Sequence, residues 1–199
     1  VHLSPKDLMA GSLPTPNKLP SVAQISTMIG GLGLTEEKHV IAYDDEGGGW
    51  AGRFLWTLDV IGHKNWSYLN GGLIAWHNEG HHTTTDVPDI KAVRRDVVID
   101  RSPIVDIQEI MDSLENRDLQ IWDARSEAEY IGATLYADKG GHIPGAINCD
   151  WTSMMDFKRN QRIHSDALAR LEDLGISSKK PTITHCQSHH RSGFTYMLG

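Results

Sequence analysis

Cysteine is scarce in this chain: two residues, Cys149 and Cys186, among 199. That excludes a disulfide-stapled scaffold and a four-cysteine zinc site. No apolar run approaches the roughly 18 residues that a membrane-spanning helix needs. No basic segment followed by an apolar one opens the sequence as a secretory signal would. Basic charge is also short, with 19 Lys and Arg against 26 Asp and Glu, a formal net charge of −7. A nucleic-acid binder would show the opposite balance. Gly47-Gly48-Gly49 lacks the Lys-Ser/Thr that would make it a phosphate loop. The chain begins Val1-His2-Leu3, without a methionine.

What is present alternates between strand and helix patterns. His39 to Tyr43 is a short apolar run feeding the acidic, glycine-rich stretch Asp44 to Gly49, which predicts a strand and a loop. Apolar residues at 51, 54, 55, 58 and 61 have helical spacing, with Gly62 as the stop. Trp66 to Leu69 predicts a strand, Asn70-Gly71-Gly72 a turn, and Leu73 to His77 another helix. Residues 81–103 are polar and aperiodic, a linker in which Val97-Val98-Ile99 is expected as an edge strand. Ile107 to Leu114 is an amphipathic helix. Leu119 to Trp122 then reads as a strand ending at Asp123-Ala124-Arg125, Gly141 to Asn148 as a turn running into a strand, Leu168 to Leu174 as a helix, and Thr182 to His185 as a strand ending on Cys186. This is α/β sequence with a mostly parallel sheet.

An internal repeat organises the chain. Gly33-Leu34 precedes Asp44 as Gly175-Ile176 precedes Cys186, and both pairs of landmarks are 142 positions apart. Asp44 therefore stands in a first copy where Cys186 stands in a second. The expected organisation is a tandem duplication: residues 1–80 as a first unit without a nucleophile, 81–103 as linker, and 104–199 as the unit that carries it. Each copy lacks elements that the other has, so the chain is expected to be a segment of a longer protein missing both ends.

The most informative stretch is Cys186-Gln187-Ser188-His189-His190-Arg191-Ser192-Gly193. A cysteine at the carboxyl end of a strand, before a tight loop and a helix, sits where α/β sheets place ligands. Converging loop N–H groups and a helix N-terminus favour thiolate over thiol. Arg191 adds positive charge, and His189 and His190 are positioned to add more. The result is an anion cradle around a nucleophile, weighed against a buried structural cysteine with incidental histidines. A metal reading of His185, Cys186, His189 and His190 is disfavoured, because adjacent strand residues point to opposite faces. His81-His82 reads as a solvated pair. Cys149 reads as core, with a redox pairing to Cys186 left open. The tryptophans read as packing, except that Trp50 could face the cleft between the units.

The Cys186 loop, Gly141-His142-Ile143-Pro144-Gly145-Ala146 and Trp122-Asp123-Ala124-Arg125 resemble the motifs of rhodanese-type sulfurtransferases. Tyr43-Asp44-Asp45 and Leu69 to Trp76 resemble the inactive amino-terminal domain of the tandem enzymes, which carries Asp at the Cys position. The resemblance implies tandem rhodanese-like domains, each a mostly parallel sheet flanked by helices. It implies transfer of a sulfane sulfur through a persulfide on Cys186. The donor would be a small anion such as thiosulfate and the acceptor cyanide or a thiol, without cofactor or metal; the charge balance and the lack of a long apolar run leave nucleic acid and membrane out, and the low cysteine count points to the cytoplasm. Gln187, Ser188, His189, His190, Arg191 and Ser192 would form the binding loop. Asp123 and Arg125 would either brace it or form a local ion pair.

Three alternatives stand beside this reading. A cysteine phosphatase of the same fold places five residues between Cys and Arg, whereas four intervene here. A mercaptopyruvate-using relative has a small, glycine-containing loop, whereas this one is bulky and cationic. A non-catalytic binding module would not need Cys186 and Arg191. One departure touches donor binding: some thiosulfate-using relatives carry Arg where this chain has Glu129.

Overall fold

The computed structural model describes residues 1–12, 15–115 and 118–199. In the amino-terminal half, α1 (Val22–Gly31) starts at Ser21, whose hydroxyl accepts from the Gln24 N–H while the Gln24 side chain accepts from the Ser21 N–H. This reciprocal cap satisfies two donors that a helix start would otherwise leave free. Strand β1 (Val40–Ala42) leads into α2 (Gly49–Val60), and β2 (Trp66–Tyr68) returns parallel to β1 before α3 (Gly72–Asn78). The helix expected from the 51–61 spacing is α2. Most of its residues are buried, because it lies at the centre of the molecule rather than on the surface.

The carboxy-terminal half begins with α4 (Ile107–Ser113), capped by Asp106 and Glu109 in the same reciprocal way. Strand β3 (Gln120–Asp123) is followed by the short α5 (Glu127–Tyr130), β4 (Ile147–Asn148) and an antiparallel ribbon of β5 (Met155–Asp156) and β6 (Arg162–Ile163). Helix α6 (Ala167–Asp173), β7 (Thr182–His185) and α7 (Arg191–Leu198) complete it. The sheet order is β4-β3-β7, all parallel, with Asp123 paired to His185 at the carboxyl edge. All four β3 residues are buried, as the middle strand of a covered parallel sheet should be.

Residues 81–103 contain no helix or strand, so the edge strand expected at Val97-Val98-Ile99 does not form. Val97 is buried against the first core, but the stretch is tied by isolated backbone bonds, Val93 N–H to Gly30 O and Asp100 N–H to Val60 O, rather than by a ladder. The β5–β6 ribbon was not expected. Its turn uses Asn160 and Gln161 at φ 58° and 59°, without the glycine that usually signals a hairpin.

The described residues form two apolar clusters. One gathers Ile25, Ile29, Leu55, Leu58 and Ile61; the other gathers Trp122, Met154, Leu171, Ile176 and Phe194; Met197 packs against both. Helices α2 and α7 cross between them at Gly52 and Gly193. A Cβ on Gly52 would collide with the Gly193 carbonyl, and one on Gly193 with the Arg53 backbone. Glycine at both positions lets the two backbones touch. This crossing brings the start of α2, and the loop before it, beside the start of α7.

Candidate active site

Cys186 follows β7 directly, and the loop 186–190 delivers the chain into α7. The Ser192 N–H donates to Cys186 Sγ at 3.3 Å, and Ser192 Oγ lies 3.4 Å from the same sulfur, where it can accept from a thiol or donate to a thiolate. The sulfur therefore rests on the first turn of α7, where free N–H groups attract negative charge. His189 takes φ 58°, a left-handed conformation that costs a non-glycine residue roughly 1 kcal/mol or more. Gln187 is exposed and its Nε2 donates to the Tyr136 carbonyl at 3.3 Å. Ser188 is half-buried between them.

Arg191 is not a free cation. Its two terminal nitrogens donate to the two oxygens of the buried Glu129 carboxylate, at 2.6 and 2.8 Å, while Arg191 itself is half-buried. Glu129 is placed by its own helix cap: Ser126 N–H and Oγ both donate to Glu129 Oε2. The hydrogen bonds from Arg191, working against the cost of burial and aided by Ser126, hold the Glu129 pKa down to about 2. Glu129, the Cys186 charge and a contact with its sulfur raise that of Arg191, against the effect of burial. The cation thus faces both the carboxylate and the sulfur. A test follows from the sign. Because Glu129 is more acidic folded than unfolded, its contribution is full above about pH 4.5 and is lost as pH falls toward 2. In urea titrations, the stability deficit of Glu129→Gln relative to the wild type should be smaller at pH 3 than at pH 6.

Asp123 forms the floor. It is completely buried, and it accepts from Arg125 Nε at 2.9 Å, a terminal Arg125 nitrogen at 2.6 Å and the Arg125 N–H at 3.1 Å. His185 Nε2 lies 3.4 Å from its other side. Burial pushes the Asp123 carboxyl up, but His185 and Arg125 together outweigh it and hold the group below the usual carboxylate range. Arg125 also donates to the Gly141 carbonyl at 2.8 Å, tying the Gly141–Ala146 turn to the strand end. Asp123 and Arg125 are therefore beneath the loop and touch each other more than they touch the sulfur.

The loop before α2 also leads into a helix N-terminus, and its N–H donors are taken by its own side chain. Asp44 Oδ1 accepts from the Gly48 N–H at 2.7 Å and the Glu46 N–H at 3.2 Å, while Oδ2 accepts from the Ala51 N–H at 3.0 Å. The carboxylate occupies the anion position at the head of its helix. No external anion could use those donors.

Several residues around the loop were not legible in the sequence. His190 Nε2 donates to Glu46 Oε1 at 2.6 Å across the interface between the halves. The His190 ring lies 4.6 Å from Trp50 and 5.2 Å from Trp151. Trp50, singled out in the sequence, packs on His190, as does Trp151, which read only as packing. Arg53 is buried, stacks on Trp56 at 4.5 Å and donates to the Leu8 and Asn17 carbonyls, both at 3.2 Å. Burial lowers its pKa to about 10, opposed by the charge of Cys186. Cys149 is buried in the second core, where burial raises its thiol pKa; both cysteines are free. Among the described residues, no three His, Cys, Asp or Glu side chains are grouped to hold a metal ion, and no helix is long and apolar enough to cross a membrane.

The model of the Rhodanese-like domain family matches residues 106–198. The chain is 45% identical over 196 residues to the thiosulfate sulfurtransferase of Pseudomonas aeruginosa, covering 98% of this chain and 72% of that protein. The thiosulfate sulfurtransferase of Azotobacter vinelandii matches at the same identity and coverage. That of Bos taurus is 29% identical over 175 residues, with 85% of this chain and 59% of that protein covered. Among solved structures, the Escherichia coli 3-mercaptopyruvate sulfotransferase SseA superposes with a TM-score of 0.79 at 25% identity, over 98% of this chain and 74% of that one. EanB bound to ergothioneine superposes with a TM-score of 0.77 at 23% identity over 89% of this chain, which spans about half (48%) of the EanB chain. On this sequence identity, fold and coverage, the chain belongs to the rhodanese family of thiosulfate sulfurtransferase enzymes.

Proposed function

We propose that this chain moves a sulfane sulfur from thiosulfate to a thiophilic acceptor, cyanide or a thiol, with Cys186 as the nucleophile. The Cys186 thiolate attacks the outer sulfur of thiosulfate. The sulfur–sulfur bond of the donor breaks, sulfite leaves with the electron pair, and a persulfide remains on Cys186. Cyanide or a thiolate then attacks the terminal sulfur and returns the Cys186 thiolate. No external base is needed if the thiolate is formed beforehand. The observation that carries this reading is the seat of the sulfur: Cys186 Sγ accepts the Ser192 N–H at the head of α7, with the Arg191 guanidinium beside it. The loop amides, Arg191, Ser192 and the flanking Gln187, Ser188, His189 and His190 hold the anionic donor and the persulfide. Asp123 and Arg125 support the loop from below. Cofactor and metal play no part in this scheme.

The tandem reading belongs to the same proposal, with residues 1–80 as a unit without a nucleophile, 81–103 as linker and 104–199 as the catalytic unit. It is supported by the arrangement of elements: α2 starts at Gly49 and α7 at Arg191, β1 starts at Val40 and β7 at Thr182, each pair 142 positions apart. A cytoplasmic setting is supported by the two free thiols.

Thiosulfate is preferred to 3-mercaptopyruvate because the loop is bulky and carries the Arg191 cation beside the sulfur; His189, expected from the sequence to add charge, is pushed toward its neutral form by burial and the Arg53 charge. The likeness to SseA keeps 3-mercaptopyruvate as the second donor to test. Brief thiosulfate treatment of the full-length protein should add about 32 Da, one sulfur atom, by intact mass. The gain should disappear on adding cyanide and should be absent in Cys186→Ser. A folded wild type that gains nothing from thiosulfate, but does gain from 3-mercaptopyruvate, reverses the donor assignment. No gain from either removes the persulfide reading.

A further inference from the structure

The active loop is strained, and what holds it comes from the other half of the chain. His189 sits in a left-handed conformation one residue before His190. Such a residue persists only where its surroundings over-determine it. His190 is fixed on every side. Glu46 Oε1 lies 2.6 Å from its Nε2. Because a carboxylate only accepts, that nitrogen must carry the proton whatever the charge of the ring. Trp50 and Trp151 flank the ring at 4.6 and 5.2 Å. Gly49 makes room for it: a Cβ there would lie 2.6 Å from Cε1 and 2.7 Å from Cδ2. Three of these four contacts, Glu46, Gly49 and Trp50, come from the loop and helix that carry Asp44 in place of a cysteine.

We propose that Glu46 is a positioning residue for sulfur transfer: by gripping His190 across the interface it keeps the strained loop closed around Cys186, so the half without a nucleophile tunes donor binding in the half that has one. The idea rests on the Cys186 loop being the donor site. Glu46 touches neither the sulfur nor the donor in this scheme; it acts through His190. The chemistry explains why a carboxylate, or an amide oxygen, is required at position 46. The neighbouring Asp44 cannot substitute, because its oxygens are already committed to the Gly48, Glu46 and Ala51 N–H groups.

Glu46→Ala and Glu46→Gln are compared in the full-length protein. Gln keeps an acceptor at the same reach, and Ala removes it. In steady-state assays Glu46→Ala should raise the KM for thiosulfate about fivefold or more while kcat stays within about twofold, and Glu46→Gln should return KM to within about twofold of the wild type. Because Glu46 is partly exposed, neither variant should move the thermal midpoint by more than about 2 °C. A donor-independent probe accompanies these: the ratio of Cys186 alkylation rates with anionic iodoacetate and neutral iodoacetamide, with Cys186→Ser as the blank. That ratio should fall about fivefold in Glu46→Ala and recover in Glu46→Gln. The proposal is overturned if Glu46→Ala leaves both KM and the alkylation ratio within twofold of wild type. It is equally overturned if the Gln variant is as impaired as the Ala variant, or if kcat and thermal midpoint fall together. A wild type that takes no sulfur from thiosulfate defeats the donor reading instead, and the alkylation comparison still decides the role of Glu46.

Discussion

Asp123→Ala should cost about 3–5 kcal/mol of folding stability, the range found when one partner of a buried ion pair is removed. Asp123 is fully buried, accepts from the Arg125 guanidinium and the Arg125 N–H, and lies 3.4 Å from His185 Nε2. Alanine leaves that guanidinium, itself largely buried, with the Gly141 carbonyl as its one close acceptor among the described residues. The two strand ends that carry the Cys186 loop are joined at this point, since Asp123 pairs with His185 in the β3–β7 ladder. Activity should therefore fall with stability. The sign with pH is also fixed. The Asp123 carboxyl is more acidic folded than unfolded, so its contribution is complete above about pH 4 and drains away only as pH drops below that. Urea unfolding at pH 7 should show the full deficit of Asp123→Ala, and the gap to wild type should narrow in acid. A deficit under about 1 kcal/mol at pH 7 would mean that water or a neighbouring group replaces the carboxylate.

Gly193→Ala should be nearly as damaging, by about 3 kcal/mol, the upper part of the range for overpacking. The added methyl would overlap the Arg53 N and lie 2.8 Å from the Arg53 Cα and 2.9 Å from the Gly52 carbonyl carbon. All of these are backbone atoms, so no rotamer change relieves the clash. Helices α2 and α7 would have to separate. That separation would pull Glu46 and Trp50 away from His190 and loosen the loop as well. Gly31→Ala is the control: a Cβ there meets nothing within 4 Å, and stability should stay level or rise slightly. Denaturation midpoints of the three proteins give the comparison. A Gly193→Ala protein with wild-type stability and wild-type turnover would show that the crossing has slack.

The site expectation came from residues that are contiguous in sequence. Cys186, the four residues after it and Arg191 sit between a β-rich run and a helix, and local order alone forces the sulfur to the head of that helix. The same local logic placed Asp44, and the spacing of its landmarks aligned it with Cys186. Apolar periodicity placed β1, β2, β3 and β7 and the helices α2, α3, α4 and α6, whereas α1, which buries Ile25 and Ile29, was not singled out. The prediction failed at Val97-Val98-Ile99, where β-prone residues are buried without a ladder, and at β5–β6, where the turn lacks glycine. In both, neighbours far along the chain decided the outcome.

Tertiary structure alone decided how the cation and the loop are held. Arg191 and Glu129 are 62 positions apart, and His190 and Glu46 are 144 apart. The sequence marked Arg191 as a charge beside the sulfur. Only packing showed that the charge is shared with a buried carboxylate, which was set in place by its own helix cap. The sequence led to the expectation that Asp44 stands where a nucleophile would, and the fold has its carboxylate filling its own cradle while Glu46, two residues on, reaches His190. A nucleophile and its helix are specified by local residue order, because a helix N-terminus is made by the residues that begin it. An ion pair between distant segments is specified by where their backbones meet, and for His190 and Glu46 that meeting is the Gly52–Gly193 crossing.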